Sequence, residues 1–382
     1  MTKTLILVPF LGGGGTEYAL LNILNDYFRE NNHSNERVSL HLFVIFRGGI
    51  LDSKFESINS DNFHVSYFTK NVYLYKLIGL IIRYKTGAQL LSKLFFRKAY
   101  DVGICFQESK WSALIAYSDY FNKKATWFHS VVNTNPGFVK VLTNKNRLYR
   151  YKKKINQFNK LVFVSMTAKE AFELEFGAFK DSTVIYNLLN VNEIQSKALL
   201  KLENCFNSND SYKILMVGNL LEVKNYPFAL DVFQMLNERK LNFEVAILGD
   251  GILRNKIELV IKEKNLLGKV FLKGFVMNPY SYYSEADLYF SCSLSEARPT
   301  ACIDAIMLKK PYLIPDIPAF KEIHELYAGG NLYSEGSVES CVENFFKIYS
   351  LTKVDMKESA LQNSINWEEI GVEYQHIISG CF

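Results

Sequence analysis

Two carboxylates lie eight residues apart in the segment Ser293-Leu294-Ser295-Glu296-Ala297-Arg298-Pro299-Thr300-Ala301-Cys302-Ile303-Asp304. A buried, strand-like run precedes this segment, and Pro299 is typical of the first turn of a helix. The amino end of a helix has free N–H donors and the positive end of the dipole, which suits a pyrophosphate. Glu296 and Asp304 would then flank the anion and accept hydrogen bonds from hydroxyl groups. The structural alternative is a charge pair that only stabilises the helix.

A lysine follows another strand-like run, in Val217-Gly218-Asn219-Leu220-Leu221-Glu222-Val223-Lys224-Asn225. The strand is expected to stop at Gly218, and Pro227 marks the start of the next helix. At the carboxyl end of a strand, the Lys224 ammonium can hold a phosphate as a point charge. Taken alone, the same residue also fits a solvated surface lysine.

The first strand-like run leads into the glycine-rich turn Gly12-Gly13-Gly14-Gly15 and then into a helix. Without Cβ atoms, such a turn lets the backbone approach a ligand closely, but simple turn geometry explains it equally well. The dinucleotide fingerprint G-x-G-x-x-G requires a glycine where the chain has Glu17. A histidine, His129, follows a later strand-like run and is a candidate for ligand contact or for a structural hydrogen bond.

Alternating apolar runs and amphipathic segments predict an α/β protein with two doubly wound, Rossmann-like domains. Ligands of such sheets bind at the carboxyl ends of the strands, where the candidate residues above are located. The boundaries are placed at residues 1–188, completed by a C-terminal helix over 366–382, and at residues 189–365. The predicted strands are Leu5–Pro9, Val38–Phe46, His64–Phe68, Val102–Phe106, Ala125–Phe128, Leu161–Val164, Lys213–Val217, Phe243–Leu248, Val270–Leu272, Leu288–Ser291 and Tyr312–Ile314.

Composition and charge narrow the class of protein. The 382 residues are 48% hydrophobic and 22% charged, typical of a folded globular chain. Residues 1–190 have 25 Lys and Arg against 14 Asp and Glu, whereas residues 191–382 have 19 against 25, which suggests that the first domain faces something anionic. No signal peptide or membrane-spanning run is evident, and six scattered cysteines fit a reducing cytoplasm.

Together these motifs resemble the retaining glycosyltransferases of the GT-B fold, specifically the large group 1, or family 4-like, set of bacterial polysaccharide transferases. Glu296 and Asp304 are similar to the family's E-x7-E element, with Asp in place of the second Glu. The resemblance covers nearly the whole chain. Its other elements are Gly14-Gly15-Thr16-Glu17, Val184-Ile185-Tyr186-Asn187, Ile247-Leu248-Gly249-Asp250-Gly251, Leu272-Lys273-Gly274-Phe275-Val276 and Trp367 in the final helix.

This resemblance implies an acceptor-binding first domain, a second domain that binds the nucleotide sugar, and a final helix that crosses back to the first domain. It implies catalytic roles for His129, Lys224 and Glu296, without a cofactor or metal ion. The family usually has Gly-Arg-Leu where this chain has Gly218-Asn219-Leu220, and Arg298 could compensate for the missing arginine. The implied donor-binding residues are Gly14, Gly15, Gly218, Asn219, Gly249, Gly251, Phe275, Val276, Ala297, Arg298, Pro299, Thr300 and Asp304.

The expected activity is transfer of a sugar from a nucleotide diphosphate, most simply UDP, to a lipid-linked oligosaccharide or surface polysaccharide. Two alternatives remain: a catalytically silent GT-B subunit that binds a glycan or a partner transferase, and a nucleotide-sugar epimerase. Basic and large apolar residues are interleaved over 73–98 and 144–160, which predicts either an anionic membrane surface as a partner or two ordinary amphipathic helices. The expected location is cytoplasmic, at most peripheral on the inner face of the membrane, and nucleic acid is not an expected partner.

Overall fold

The structure is a computed structural model that describes residues 1–30, 38–58, 60–96, 98–200, 205–208, 210–327, 329–350 and 367–382. The chain divides into two compact units. Unit 1 comprises Met1–Leu189 and Asn366–Phe382, and unit 2 comprises Asn190–Ile365. Each unit contains one parallel sheet covered by helices, so the predicted α/β class is confirmed.

In the described part of unit 1, seven parallel strands follow the order β3-β2-β1-β4-β5-β6-β7. Apolar side chains on both faces of the central strands bury the sheet between helices. The strands are β1 Thr2–Val8, β2 Val38–Phe46, β3 Phe63–Thr69, β4 Tyr100–Cys105, β5 Phe121–Phe128, β6 Lys160–Phe163 and β7 Ser182–Val184. The helices are α1 Gly15–Glu30, α2 Asp52–Glu56, α3 Val72–Ile81, α4 Lys85–Phe95, α5 Ala113–Ala116, α6 Pro136–Leu142, α7 Lys145–Ile155 and α8 Met166–Phe176.

Unit 2 repeats the architecture over its described residues, with six parallel strands in the order β10-β9-β8-β11-β12-β13. The strands are β8 Tyr212–Val217, β9 Phe243–Leu248, β10 Val270–Gly274, β11 Leu288–Phe290, β12 Tyr312–Pro315 and β13 Gly330–Tyr333. The helices are α9 Val191–Leu199, α10 Tyr226–Glu238, α11 Arg254–Glu263, α12 Tyr280–Glu285, α13 Thr300–Met307, α14 Pro318–Leu326 and α15 Val338–Tyr349.

The final helix, α16 Trp367–Ser379, packs within unit 1. Ile370, Tyr374 and Ile378 are buried, as their spacing of four residues predicts for one helix face. The Tyr374 hydroxyl donates to the Tyr186 carbonyl at 3.2 Å, and its ring stacks on Trp127 with centroids 6.0 Å apart. The helix therefore completes the core of unit 1, although the whole of unit 2 separates it from residues 1–189 in the sequence.

The loops at the carboxyl ends of β8 and β9 are in direct backbone contact. Gly218 N–H donates to the Leu248 carbonyl at 2.9 Å, and Leu220 N–H donates to the Asp250 carbonyl at 3.0 Å. A Cβ on Gly249 would lie 2.2 Å from the Gly218 carbonyl oxygen, and Gly249 also has a φ of +130°. The Gly-x-Gly turn is thus required for two loops to pack together.

We predict that Gly249→Ala lowers the free energy of unfolding by about 3 kcal/mol or more, because the methyl group meets backbone that cannot move aside. Gly268→Ala is the matched control in the same unit. It also has a positive φ, of +77°, but its added Cβ meets no atom within 4 Å, so about 1 kcal/mol is expected. Urea unfolding followed by circular dichroism measures both; equal losses would contradict this explanation.

Candidate active site

An ion pair lies at the carboxyl edge of the unit 2 sheet. Lys224 Nζ is 2.5 Å from Glu296 Oε1, and the side chains are 25% and 16% exposed. The aliphatic part of Lys224 passes beside Gly218, where a Cβ would lie 3.3 Å from Lys224 Cε. The structure therefore brings together the lysine and the carboxylate that the sequence singled out separately, with both charges still reachable from solvent.

The backbone of the two loops is fixed by contacts other than the ion pair. Cys292 Sγ donates to the carbonyls of Lys224 at 3.1 Å and Asn225 at 3.2 Å. Leu294 N–H donates to the Val223 carbonyl at 2.8 Å, and the Tyr226 hydroxyl donates to the Gly218 carbonyl at 2.8 Å. These hydrogen bonds correspond to no recognisable sequence motif, so residue spacing alone does not predict them.

Helix α13 begins at Thr300, with Pro299 immediately before it rather than inside it. The sequence predicts free N–H donors at this helix end, but several are already paired. Thr300 N–H donates to the Arg298 carbonyl at 2.9 Å, while Cys302 and Ile303 N–H donate to the Pro299 carbonyl at 3.0 and 3.2 Å. An anion bound here would therefore depend on the helix dipole and on nearby cations more than on those three donors.

Asp304 lies within α13 and is partly buried. Burial raises the pKa of its carboxyl from 3.8 to about 7. A carboxyl with this pKa exchanges its proton near neutral pH, and hydroxyl donors would favour the ionised form. Asp304 is thus suited to hydrogen bonding with a polyol such as a ribose.

The two residues that follow Glu296 are buried. Ala297 is buried, and the three guanidinium nitrogens of Arg298 have almost no contact with solvent. Direct contact between Arg298 and a bound phosphate would require the side chain to move. The family's Gly-Arg-Leu element is expected to present an exposed arginine to the ligand. The guanidinium group of Arg298 is buried and does not take that role in this conformation.

The remaining unit 2 candidates line the strand ends. Asn219 and Phe275 are exposed, Val276 is half-buried, and Gly249 N–H donates to the Gly274 carbonyl at 2.8 Å. A Cβ on Gly251 would lie 2.5 Å from the Leu220 carbonyl oxygen. Both glycines of the turn thus pack against neighbouring loops, which is a structural role that their motif did not reveal.

His129 lies in unit 1, directly after β5. Burial lowers the pKa of its imidazole to about 3, partly opposed by a hydrogen bond to the Phe106 backbone, so the ring is neutral at physiological pH. Nε2 is buried and has no hydrogen-bond partner among the described residues. In a neutral imidazole one ring nitrogen is a donor and the other an acceptor, so Nε2 can accept from a hydroxyl group when the proton is on Nδ1.

Gly14 and Gly15 are exposed at the start of α1 in unit 1. The Glu17 carboxylate accepts from Gly14 N–H at 2.7 Å, and burial raises the pKa of Glu17. The fold thus uses a carboxylate at the position where a dinucleotide fingerprint would have glycine, and this carboxylate occupies one of the donors of the turn.

The described residues contain neither a candidate metal site nor a helix that could cross a membrane. No group of three or more His, Cys, Asp and Glu side chains there is placed to hold a metal ion. Within the same ranges, no helix has both the length and the apolar character that crossing a bilayer requires.

The class of protein follows from the architecture. The chain aligns over its full length with the solved structure of Anabaena HepE in complex with UDP and glucose, covering 98% of that chain with a TM-score of 0.72 and 15% identity. At this identity the likeness concerns the fold, and the chain has the two-domain GT-B fold expected from the sequence.

The family assignment comes from unit 2. Residues 203–366 match the model of the family described as glycosyl transferases group 1. This match covers the second domain and agrees with the group 1 part of the resemblance noted in the sequence.

Two curated relatives agree with this assignment. An uncharacterized glycosyltransferase of Methanocaldococcus jannaschii is 27% identical over 190 residues, 48% of this chain and 47% of its own length. A second is the N-acetylgalactosamine-N,N'-diacetylbacillosaminyl-diphospho-undecaprenol 4-alpha-N-acetylgalactosaminyltransferase of Campylobacter jejuni. It is 31% identical over 129 residues, 33% of each chain. The chain thus spans between a third and a half of the length of these relatives.

Asp304 should make the stability of the protein depend on pH. Because the folded state raises its pKa, the unfolded chain loses this proton at lower pH, and stability falls as the pH rises from about 4 to about 7. We predict that Asp304→Asn, which cannot ionise, is more stable than the wild type by about 1–3 kcal/mol at pH 8. The gain should shrink toward pH 5. Thermal unfolding of both proteins across this range measures it, and a pH-independent difference would contradict the prediction.

Proposed function

We propose that the protein is a retaining glycosyltransferase that moves a sugar from a nucleotide diphosphate to a glycan acceptor without a metal ion. The observation that carries the proposal is the Lys224–Glu296 ion pair at the carboxyl edge of the sheet in the group 1 domain. In an open parallel sheet this edge is where ligands bind.

The proposed roles follow from the charges. Lys224 stabilises the diphosphate as it departs, and the dipole of α13 adds to that field. Glu296 accepts a hydrogen bond from a hydroxyl of the donor sugar, and Asp304 accepts from the ribose. Gly218, Asn219, Gly249, Gly251, Phe275, Val276 and the segment Ala297–Thr300 form the surrounding donor site.

Two features of unit 1 are also proposed as ligand contacts. We assign the neutral His129 to a hydroxyl of the donor sugar, which its buried Nε2 can contact only after a local movement, and the turn at Gly14 and Gly15 to backbone contact with the donor. The bond from the anomeric carbon to phosphate breaks while the acceptor hydroxyl attacks from the same face. The departing phosphate takes the hydroxyl proton, so the anomeric configuration is retained and no protein nucleophile is needed.

UDP is the proposed nucleotide, and the HepE structure that shares this fold contains UDP and glucose. A lipid-linked oligosaccharide or surface polysaccharide is the proposed acceptor, since the name of the Campylobacter jejuni relative includes a diphospho-undecaprenol substrate. The proposed location is the cytoplasmic side of the membrane.

The ion pair gives a direct test of the chemistry. We predict that Lys224→Met weakens UDP binding by roughly tenfold or more, because the phosphate loses its cation. Glu296→Gln should instead bind UDP about three- to tenfold more tightly, since it removes a negative charge that competes for the same ammonium group. Its turnover should nevertheless fall by about 100-fold or more. Isothermal titration calorimetry and a donor-turnover assay measure these effects.

The matched control is a second ion pair of unit 2, in which Lys264 Nζ is 2.6 Å from Asp231 Oδ1 and the lysine is similarly exposed. Lys264→Met and Asp231→Asn should leave both UDP binding and turnover unchanged. If Glu296→Gln lost UDP affinity to the same extent as Lys224→Met, Glu296 would only position the lysine, and its assigned role would be wrong. UDP binding without turnover for any donor would favour a catalytically silent subunit.

The identity of the nucleotide is tested by a thermal-shift screen of UDP, GDP, ADP and their sugars. A ligand that binds only the folded state raises the melting temperature, so the largest shift is expected with UDP or a UDP-sugar. A shift confined to GDP would refute the choice of UDP. Once a donor and acceptor pair is active, the NMR signal of the anomeric proton in the first-formed product reports retention or inversion.

A further inference from the structure

Helix α3 has an unusual distribution of apolar residues. Its inward side is formed by Ile78 and Gly79, which are buried. The opposite side is also apolar: Tyr73, Leu77 and Leu80 are 81%, 54% and 51% exposed. A helix with apolar residues on both sides is normally buried on both, so this outer face lacks the covering that its composition favours.

The exposed residues form one continuous face. Positions 73, 77 and 80 are spaced by four and three residues, which places them along a single side of α3. Tyr84 follows in extended backbone at the start of α4. Tyr84, just beyond the last turn of α3, is 60% exposed. We call Tyr73, Leu77, Leu80 and Tyr84 the apolar face of unit 1. Lys76 and Arg83 are exposed beside it, seven residues apart along one edge of the helix.

A second helix brings further positive charge to this face. The guanidinium carbon of Arg150, in α7, lies 5.4 Å from the centre of the Tyr84 ring. The exposed cations of α7 are Lys145, Arg147, Arg150, Lys152 and Lys153. The chain has no Asp or Glu between residues 62 and 100 or between residues 120 and 169. Residues 62–100 and 120–169 therefore contribute cations but no carboxylates to the apolar face and its surroundings.

We infer that the apolar face of unit 1 binds the surface of an anionic lipid bilayer. Leucine side chains would enter the boundary between headgroups and acyl chains, and tyrosines would lie at headgroup level. Lys76, Arg83 and Arg150 would contact lipid phosphates. Lysine and arginine chains can extend along an apolar surface while their charges stay with the headgroups.

The combination of cations and apolar residues favours a lipid surface over a second copy of the chain or a nucleic acid. Two copies of the chain that met through this face would bring like charges together, which disfavours a symmetric dimer. Nucleic acid would satisfy the cations but would leave the leucines without a partner. Only a partner with both anionic groups and an apolar interior matches the whole surface.

This inference goes beyond the proposed function, because the surface lies in unit 1 and is argued without reference to a nucleotide sugar. If both hold, the enzyme is concentrated where a lipid-linked acceptor is found. The two proposals can fail independently, since vesicle binding is measured with no donor present and UDP binding is measured with no vesicle present.

The test is co-sedimentation of the full chain with phosphatidylcholine vesicles that contain or lack phosphatidylglycerol. We expect the protein to bind the anionic vesicles and to bind the neutral vesicles only weakly. Binding to the anionic vesicles should decrease at high salt. The double variant Leu77→Ser/Leu80→Ser should bind about tenfold more weakly or worse, because two apolar side chains no longer insert. Lys76→Gln/Arg150→Gln should bind anionic vesicles about tenfold more weakly and lose much of the salt dependence.

Matched controls come from exposed residues of unit 2. Leu259→Ser/Leu267→Ser and Lys256→Gln/Lys262→Gln remove the same groups from exposed positions outside the apolar face and should bind as the wild type does. Unchanged melting temperatures would show that all variants fold. The inference is overturned if the wild type does not bind anionic vesicles, or if Leu77→Ser/Leu80→Ser binds them normally. It is also overturned if light scattering shows a vesicle-free dimer that this variant abolishes.

Discussion

The ion pair between Lys224 and Glu296 is the interaction on which the assigned chemistry depends, and it joins two loops 72 residues apart. The loops do not need it in order to hold their shape, because Cys292 Sγ and Leu294 N–H already bond to the backbone of the lysine loop. A ligand can therefore take over either charge without unfolding the backbone. Two partly buried charges without such a role would be a weak source of stability, since desolvation offsets much of their attraction.

The residues around the Lys224–Glu296 pair leave room for a ligand to replace one partner of the pair. Gly218 leaves room for the lysine stem, and the glycines of the next loop permit carbonyl contacts that any Cβ would block. Arg298 is buried, so the nearby exposed cation that this loop offers to an incoming phosphate is Lys224. In the proposed site, where Asn219 replaces the arginine of the Gly-Arg-Leu element, Lys224 would supply most of the charge stabilisation.

Much of the fold could be predicted because its strands are predominantly apolar runs, which identify buried parallel strands such as Val38–Phe46 and Phe243–Leu248. The elements that the prediction missed have weaker signals. Helix α8 buries only Ala168 and Phe172, and β13 has the short, mixed sequence Gly-Asn-Leu-Tyr. Helix α6 carries the Asn135-Pro136 start signal but only seven residues, too few to show a helical period. Short elements are specified by their neighbours in space, which one sequence does not display.

The site shows the same division between local and distant information. Spacing placed Glu296 before a helix and Asp304 inside it, since both follow from residues adjacent in the chain. The contact of Glu296 with Lys224, the paired N–H groups of α13 and the raised pKa of Asp304 depend on segments that meet only after folding. The same holds for the charge of unit 1: the sequence revealed its excess of cations, but only the structure shows an exposed apolar helix face beside some of them. Charge alone would suit many anionic partners, and it is the exposed leucines that narrow the choice to a lipid surface.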